Sequence, residues 1–385
     1  MSSSKEMGEA ILFAQLGHPD VVNALKKAIR QSETRFISFR DYMDICLYSE
    51  PGGYYRNTNL KIGKGGDFYT SSSIGSVMGE MVAAFICRQV DLAVPSRETI
   101  HLVEWGGGNG RLALHILDEI KQAAPALYSR LSYTIIESSG FHRELQRQTL
   151  VAHTERIQFM NDSEWYASGT HDNVYVLANE LLDAFPVHRI RYLDLKFQES
   201  FISWNEKEER FEEHWLPLKD EPLLDFIDRL KVQWTEGQIA EVNLAAETWI
   251  DAVAKQVKSG CCIIIDYGDC EKELYAAHRH RGTLMCYRKH QAHDNLLIAQ
   301  GEQDITSHVN FTSCIDAAER GGFTSCTLQT QREFLVEQGI LLKLQDHFDP
   351  NPFSDVSKRN RAIRQLLLSD QMSELFKVLI AKKKR

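Results

Sequence analysis

A glutamate followed by alternating glycines is the feature of this 385-residue sequence with the most definite chemistry. The spacing is E-x-G-x-G-x-G, and it is formed by Glu104, Gly106, Gly108 and Gly110. The segment stands between an apolar run that predicts a strand and a pattern that predicts a helix. Glycines in such a strand–loop–helix context allow a tight turn and let a ligand approach the bare backbone. We therefore expect a ligand-binding loop here.

Two classes of ligand use a loop of this kind. Dinucleotide-binding folds have G-x-G-x-x-G, whereas the third position of that pattern is occupied here by Arg111. Methyltransferases that use S-adenosyl-L-methionine (SAM) typically have the spacing that is present. Glu104 also favours SAM, since a carboxylate ~6 Å from a pyrophosphate is repelled by roughly 3 kcal/mol at an effective dielectric of ~20. SAM instead presents an ammonium and a sulfonium. A glycine-rich turn that binds no ligand is the remaining alternative.

Acidic residues follow the next two predicted strands, which cover 131–137 and 157–160. Glu137 ends the first, and an acid at that point can bind both hydroxyls of a ribose. We include the adjacent Ser138 in the same cofactor-binding set. Asp162 and Ser163 follow the second, where SAM enzymes often contact the adenine amino group. Taken alone, that segment is equally typical of an Asx turn or a helix cap.

Asn179, Glu180 and Asp183 follow the fourth predicted strand, which covers 173–178. In a SAM-binding sheet this position faces the transferable methyl group, so we assign Asn179 to the cofactor and the two acids to the reaction. Polar groups are costly to place near a core unless they are paired or have a task. The alternative is a short helix with Asn179 as its N-cap.

The elements that must position these residues alternate between strand and helix from residue 99 onward, which predicts an α/β fold with a parallel sheet covered by helices. Ligands of such sheets bind at the carboxyl ends of the strands. Strands predicted over 197–204 and 211–215 interrupt the alternation, and a helix is predicted over 360–381. The predicted regions are a mainly helical N-terminal region (1–95), the first part of the core (96–187), an antiparallel β insertion (188–240), the rest of the core (241–335) and a helical C-terminal region (336–385).

Composition excludes several classes of protein. Lys and Arg number 44 against 53 Asp and Glu, a net charge of −9, so we expect no nucleic-acid partner. No apolar run approaches the ~18 residues of a membrane helix, so we expect no membrane insertion.

The eight cysteines form no CxxC pair, and the histidine pairs lack the spacing of a metal site, so we expect reduced thiols and no metal. Because Glu6 and Glu9 also argue against a targeting peptide, we expect a cytoplasmic protein. Whether it forms a homodimer is left open.

Several ordered motifs resemble one known family over residues ~35 to 340. They are the glycine loop with Glu104, Gly66-Asp67-Phe68-Tyr69-Thr70-Ser71, Asn179-Glu180-x-Leu182-Asp183-Ala184, Ile265-Asp266-Tyr267-Gly268 and Gln303-Asp304-Ile305-Thr306-x-His308. The sequence thereby resembles the MidA-type SAM-dependent methyltransferases, which include a mitochondrial arginine methyltransferase that assists respiratory complex I assembly. The resemblance implies a Rossmann-like class I methyltransferase core, SAM as cofactor, and arginine in a protein substrate as the methyl acceptor.

The resemblance also implies roles for individual residues. A guanidinium is charged in solution, with a pKa above ~12, and carboxylates can orient it through paired hydrogen bonds. Glu180 and Asp183 are the candidates for that clamp. Asp67 and Tyr69 would close over the cofactor. Asp304 and His308 would line the substrate side, although a hydrogen-bonded loop start explains them equally well. Two other functions stay open: a SAM-binding assembly chaperone without catalysis, and a small-molecule methyltransferase.

Overall fold

The fold is known from a computed structural model, and the structure describes residues 16–58, 61, 75–95, 97–345, 351, 353–369 and 374–384. The helices are α1 (Pro19–Gln31), α2 (Phe39–Tyr48), α3 (Val77–Ala93), α4 (Arg111–Ala123), α5 (Pro125–Ser129), α6 (Gly140–Thr149), α7 (Asp162–Ala167), α8 (Glu221–Arg229), α9 (Leu244–Gln256), α10 (Glu271–Leu274), α11 (Phe311–Arg320), α12 (Gln331–Glu337) and α13 (Asp355–Leu368).

The strands of the described residues fall into three sheets. They are β1 (Ile37–Ser38), β2 (Ile100–Trp105), β3 (Leu131–Ile136), β4 (Ile157–Met160), β5 (Val174–Asn179), β6 (His188–Leu193), β7 (Lys196–Asn205), β8 (Arg210–Pro217), β9 (Ile239–Val242), β10 (Gly260–Asp269), β11 (Met285–Arg288), β12 (Gln291–His293), β13 (Asp304–Thr306), β14 (Val309–Asn310), β15 (Ser325–Thr330) and β16 (Phe376–Lys383).

The central sheet has the strand order β15-β16-β10-β5-β2-β3-β4, with β14 paired to the end of β10. The strands from β10 to β4 are parallel, and β16 runs antiparallel to both of its neighbours. The chain leaves β2 toward β3 on one side and returns to β5 on the other. Such a reversal opens a crevice at the carboxyl ends of the strands. The predicted parallel α/β fold is confirmed, and the loop after β2 lies at this crevice.

Apolar side chains cover both faces of this sheet. One core joins α3, α4 and α13 to the sheet through residues such as Met81, Ile116 and Ile363. The other joins α9 and α11 to the opposite face through residues such as Ile250 and Cys314. This is the arrangement that burial of both faces of a parallel sheet requires.

The prediction of a helix over 360–381 is wrong in its second half. Helix α13 ends at Leu368, and Phe376–Lys383 forms β16 between β10 and β15. Val378 and Leu379 are fully buried there. A short apolar run has the same appearance in a buried strand as in a buried helix, so periodicity could not decide between them. The C-terminal region 336–385 is therefore only partly helical, and it supplies a strand to the core.

The N-terminal region and the insertion share a sheet, which the sequence did not predict. β1 pairs with the middle of β7, so that Ile37 lies opposite Ile202. The expected antiparallel hairpin is present as β7 and β8, and β6 and β9 complete this second sheet. Helices α1 and α2 pack on it and on the small sheet β12-β11-β13 through a third core that includes Tyr42 and Ile305. The exact domain boundaries stay a prediction.

Candidate active site

The glycine loop connects β2 to α4 at the crevice. Gly106 has φ +64° and Gly108 has φ +51°, values that side-chain-bearing residues adopt only at a cost. Helix α6 holds the loop from one side: Gln146 Nε2 donates to the carbonyl of Gly108 at 2.9 Å, and Thr149 Oγ1 donates to the carbonyl of Asn109 at 2.8 Å. The conformation of the loop therefore depends on its glycines and is stabilised by hydrogen bonds from a neighbouring helix.

Glu104 lies beneath this loop and is almost completely buried, with 3% of its surface exposed. The hydroxyl of Tyr133 donates to Glu104 Oε2 at 2.9 Å. Burial raises the pKa of Glu104 to about 7, an effect that the Tyr133 hydrogen bond opposes and the nearby Glu137 reinforces. A cation placed against Glu104 would favour its charged form.

Glu137 comes directly after β3 and lines the same cavity. Its Oε1 accepts a hydrogen bond from the amide of Ser139 at 2.8 Å, and its Oε2 accepts one from Gln146 Nε2 at 3.3 Å. Gln146 thus contacts both the glycine loop and Glu137. Ser138 is exposed and also lines the cavity.

Asp162 and Ser163 occupy the first turn of α7, and both are exposed. The preceding Asn161 is the N-cap and forms a capping box with Glu164, so the helix-cap interpretation of this segment is correct for Asn161. Asp162 nevertheless lines the cavity, and its Oδ1 accepts a hydrogen bond from the indole of Trp105 at 2.9 Å. Ser163 does not line it.

Asn179 and Glu180 stand at the carboxyl end of β5. Asn179 Nδ2 donates to Glu180 Oε1 at 3.2 Å, whereas the buried Oδ1 of Asn179 accepts no hydrogen bond. Glu180 has φ +52°, an uncommon conformation for a residue with a side chain. Residues 180–187 form bends and a turn but no helix, so the alternative of a short capped helix is excluded. Strain of this kind is concentrated at functional sites.

Asp266 on β10 holds this turn, and we did not predict its role. It is fully buried, and its Oδ2 accepts hydrogen bonds from the amides of Leu181, Leu182 and Asp183. Burial raises the pKa of Asp266 to about 7, although these amides oppose the shift. The motif Ile265-Asp266-Tyr267-Gly268 was a signal in the sequence, but it does not reveal which backbone the carboxylate binds.

Asp183, predicted for the reaction, and Asp304 and His308, predicted for the substrate side, are not part of the cavity wall. Asp183 is 5% exposed and Asp304 is 2% exposed, and neither they nor His308 line the cavity. Burial, with the nearby Asp266, Asp304 and Glu180, raises the pKa of Asp183 well above its ordinary range. Burial lowers the pKa of His308 to about 4, and its ring stacks on Tyr267 with centroids 6.5 Å apart. The structure does not bring these three residues to the cavity surface, and their direct contact with an acceptor stays a prediction.

The cavity itself has a volume of about 530 Å³ and extends from the glycine loop to the N-terminal region. Among the described residues, the polar and aromatic members of its wall that the sequence did not reveal are Asp44, Tyr48, Tyr55, Arg56, Lys61, His142 and Trp249. Their spacing carries no recognisable motif, because they come from separate elements. Asp67 and Tyr69 lie outside the described residues.

The wall suits SAM on observations of this chain alone. The loop presents bare backbone, Glu104 and Glu137 offer carboxylates, and the buried Asn179 Oδ1 still needs a hydrogen-bond donor. A buried acceptor without a partner is costly, which points to a donor on the ligand.

Comparison with known proteins decides the family. A family described as "Putative S-adenosyl-L-methionine-dependent methyltransferase" matches residues 81–328, more than half of the chain. The chain belongs to this family. The methyltransferase is also similar to a crystal structure of a protein from Burkholderia thailandensis bound to S-adenosyl-homocysteine (SAH), with a TM-score of 0.83 and 27% identity, covering 96% of this chain and 95% of that one. The class I Rossmann-like core and SAM as cofactor are confirmed.

Curated relatives of this methyltransferase carry a more specific name. The mitochondrial protein arginine methyltransferase NDUFAF7 homolog of Drosophila melanogaster is 27% identical over 368 residues, which is 89% of this chain and 78% of the relative. The mitochondrial protein arginine methyltransferase NDUFAF7 of Xenopus laevis is 26% identical over 370 residues, covering 89% and 80%.

These names contradict the expected cytoplasmic location, because they point to mitochondria. The expectation rested partly on cysteine usage, which reflects redox environment and not a particular compartment. Its other basis, Glu6 and Glu9, lies outside the described residues. Within the described ranges, no helix is long and apolar enough to cross a membrane. The absence of a nucleic-acid partner stays a prediction, and the question of a homodimer stays open.

Proposed function

We propose that this methyltransferase transfers a methyl group from SAM to a guanidinium nitrogen of arginine in a protein substrate. The observation that carries the proposal is the Glu180 carboxylate on the cavity wall at the carboxyl end of β5. The names of the curated relatives support the same acceptor.

When bound, SAM supplies an electrophilic methyl group on a sulfonium. Glu104 and Glu137 bind its cationic and hydroxyl-bearing parts, and Asn179 Oδ1 accepts a hydrogen bond from it. The indoles of Trp105 and Trp249 stand edge to face with centroids 5.4 Å apart, and both contribute apolar wall that excludes water.

Glu180 orients the acceptor. Its carboxylate accepts hydrogen bonds from the guanidinium and offsets its charge, so that one nitrogen stays directed at the methyl group. Alignment of the two reactants is the main way in which this site accelerates transfer, because the reaction needs an in-line approach. As the nitrogen–carbon bond forms, the carbon–sulfur bond breaks and SAH is the leaving group. The proton displaced from the methylated nitrogen is released with the products, and the methylated guanidinium remains a cation.

The test uses the purified full chain, SAM with an isotopically labelled methyl group, and an extract of cells that lack the gene. We expect label in protein, located on arginine by mass spectrometry. Label confined to small molecules would support the small-molecule methyltransferase instead. SAM binding without any transfer would support the assembly chaperone.

A further inference from the structure

Two tyrosines of the N-terminal region form part of the cavity wall. Tyr48 is the last residue of α2, and Tyr55 follows seven residues later. Their rings stack with centroids 5.5 Å apart and an interplanar angle of 21°. Both line the cavity that contains the glycine loop. Part of the cavity wall is therefore aromatic.

The hydroxyl groups of both tyrosines are already used. Tyr48 donates to the carbonyl of Ala184 at 2.9 Å, and Tyr55 donates to Asp304 Oδ1 at 2.8 Å. Burial and the nearby carboxylate of Asp304 raise the pKa of both phenols well above the ordinary value. Neither hydroxyl is thus suited to proton transfer, and what the pair offers to a ligand is ring surface.

Carboxylates accompany this ring surface. Asp44 lies one helical turn before Tyr48 on α2 and also lines the cavity. Glu180 belongs to the same wall, next to the turn that receives the Tyr48 hydrogen bond at Ala184. Two basic residues share the wall. Arg56 Nη1 lies 3.6 Å from Glu50 Oε1, and Lys61 Nζ donates to Asn57 Oδ1 and stands 4.5 Å from the centroid of the Tyr54 ring. Aromatic surface that shares a cavity with carboxylates attracts a cation.

A planar cation suits this environment better than a compact one. A guanidinium stacks on aromatic rings and hydrogen-bonds carboxylates at its edge, whereas an ammonium is more strongly hydrated and has no face to stack. We propose that Tyr48 and Tyr55 determine acceptor specificity by selecting a guanidinium over an ammonium. This inference rests on the proposed function, since it assigns the acceptor half of that same site.

The test measures binding without catalysis. The full chain is saturated with SAH, and L-argininamide and L-lysinamide are titrated in by calorimetry or ligand-observed NMR. We expect the unmodified chain to bind argininamide more tightly than lysinamide. Tyr48→Leu and Tyr55→Leu should each weaken argininamide binding about 3- to 10-fold, as loss of a cation–π contact predicts, and reduce the preference.

Matched variants separate ring surface from general damage. Tyr48→Phe removes only the hydroxyl and should retain the preference for argininamide. Tyr192→Leu is the control in the insertion. It removes a tyrosine that packs on Phe197 outside the cavity, and it should leave the preference for argininamide unchanged. Circular dichroism and SAH affinity report whether each variant folds. If a leucine variant misfolds, the phenylalanine variant and the two ligands on the unmodified chain decide.

Equal binding of argininamide and lysinamide would overturn the inference, as would no argininamide binding, or binding that both leucine variants retain. None of these results would contradict the proposed function, because that function is tested by the detection of methylated arginine in protein. Conversely, a guanidinium preference without methylarginine in any protein would leave the aromatic wall in place and contradict the proposed function.

Discussion

Oδ2 of Asp266 lies 2.8 Å from the amide nitrogen of Leu182 and accepts its hydrogen bond. The same oxygen accepts the amides of Leu181 at 3.1 Å and Asp183 at 3.3 Å, so one buried carboxylate on β10 holds the turn after β5. Glu180 immediately precedes this turn at φ +52°. The position of Glu180 on the cavity wall therefore depends on a residue that does not line the cavity.

Replacement of Asp266 should loosen that turn. We expect Asp266→Ala to lower the free energy of unfolding by about 3 kcal/mol, because buried amides that lose their acceptor cost ~1–3 kcal/mol each and the turn can relax in part. Asp266→Asn keeps one carbonyl oxygen and should cost less. Denaturant titration measures both. An alanine variant as stable as the unmodified chain would show that the turn does not need this carboxylate.

Glu180 should affect transfer more than cofactor binding. We expect Glu180→Gln to bind SAM within about twofold of the unmodified chain and to transfer methyl about 100-fold more slowly, the effect expected of a misplaced reactant. Calorimetry and labelled transfer measure the two quantities. Asp225→Asn, at an exposed carboxylate of α8, is the control. Full transfer by the glutamine variant would contradict the orienting role.

The glycine loop offers a matched pair of substitutions. Gly108 has φ +51°, so Gly108→Ala should strain the loop by ~1–2 kcal/mol and weaken SAM binding at least about tenfold. Gly140, in the first turn of α6, has no atom within 4 Å of an added Cβ, so Gly140→Ala should leave binding unchanged. Calorimetry compares them. Equal binding by both variants would show that the backbone conformation of the loop is not required.

Glu104 should make both stability and binding depend on pH. Burial raises its pKa from 4.5 to about 7, so the folded chain holds a proton that the unfolded chain releases between these values. Its contribution to stability is complete below about pH 4.5 and falls as pH rises toward 7. Thermal unfolding measured between pH 4.5 and 7 should show that stability falls less steeply with rising pH in Glu104→Gln than in the unmodified chain.

Binding of cationic SAM should have the opposite pH dependence, because it favours charged Glu104. Near pH 6.5 we expect protons to be released on binding, which calorimetry detects by comparing buffers of different ionisation enthalpy. Glu104→Gln should release none from this position. If the unmodified chain and Glu104→Gln released the same number of protons, the titration would belong to another group.

The C-terminal strand should be essential to the core. Leu379 on β16 is fully buried, and we expect Leu379→Ala to cost about 2–5 kcal/mol of unfolding free energy. Leu368, at the end of α13, is 74% exposed, so Leu368→Ala should stay within about 0.5 kcal/mol of the unmodified chain. Chemical denaturation compares the two leucines. Equal effects would mean that β16 adds little to stability.

Local signals explain which parts of the site could be predicted. Glu104, Glu137, Asp162 and Asn179 each lie at or just beyond the end of a strand whose apolar pattern is visible, and all four line the cavity. The rule that ligands bind at the carboxyl ends of parallel strands brings them together without any knowledge of side-chain packing. Asp183 and Asp304 have equally clear motifs, but a motif does not show whether a carboxylate faces a cavity or a backbone amide.

The parallel α/β core, the glycine loop at its crevice and the class of cofactor could be predicted without the structure, because each follows from spacing along a short stretch of chain. Three features became visible only in the folded chain: β16 inserts between β10 and β15, Asp266 holds the turn after β5, and Tyr48 and Tyr55 line the cavity. Each of them joins residues that are far apart in the chain. Their contacts depend on how helices and sheets pack, and no periodicity within one segment records that packing.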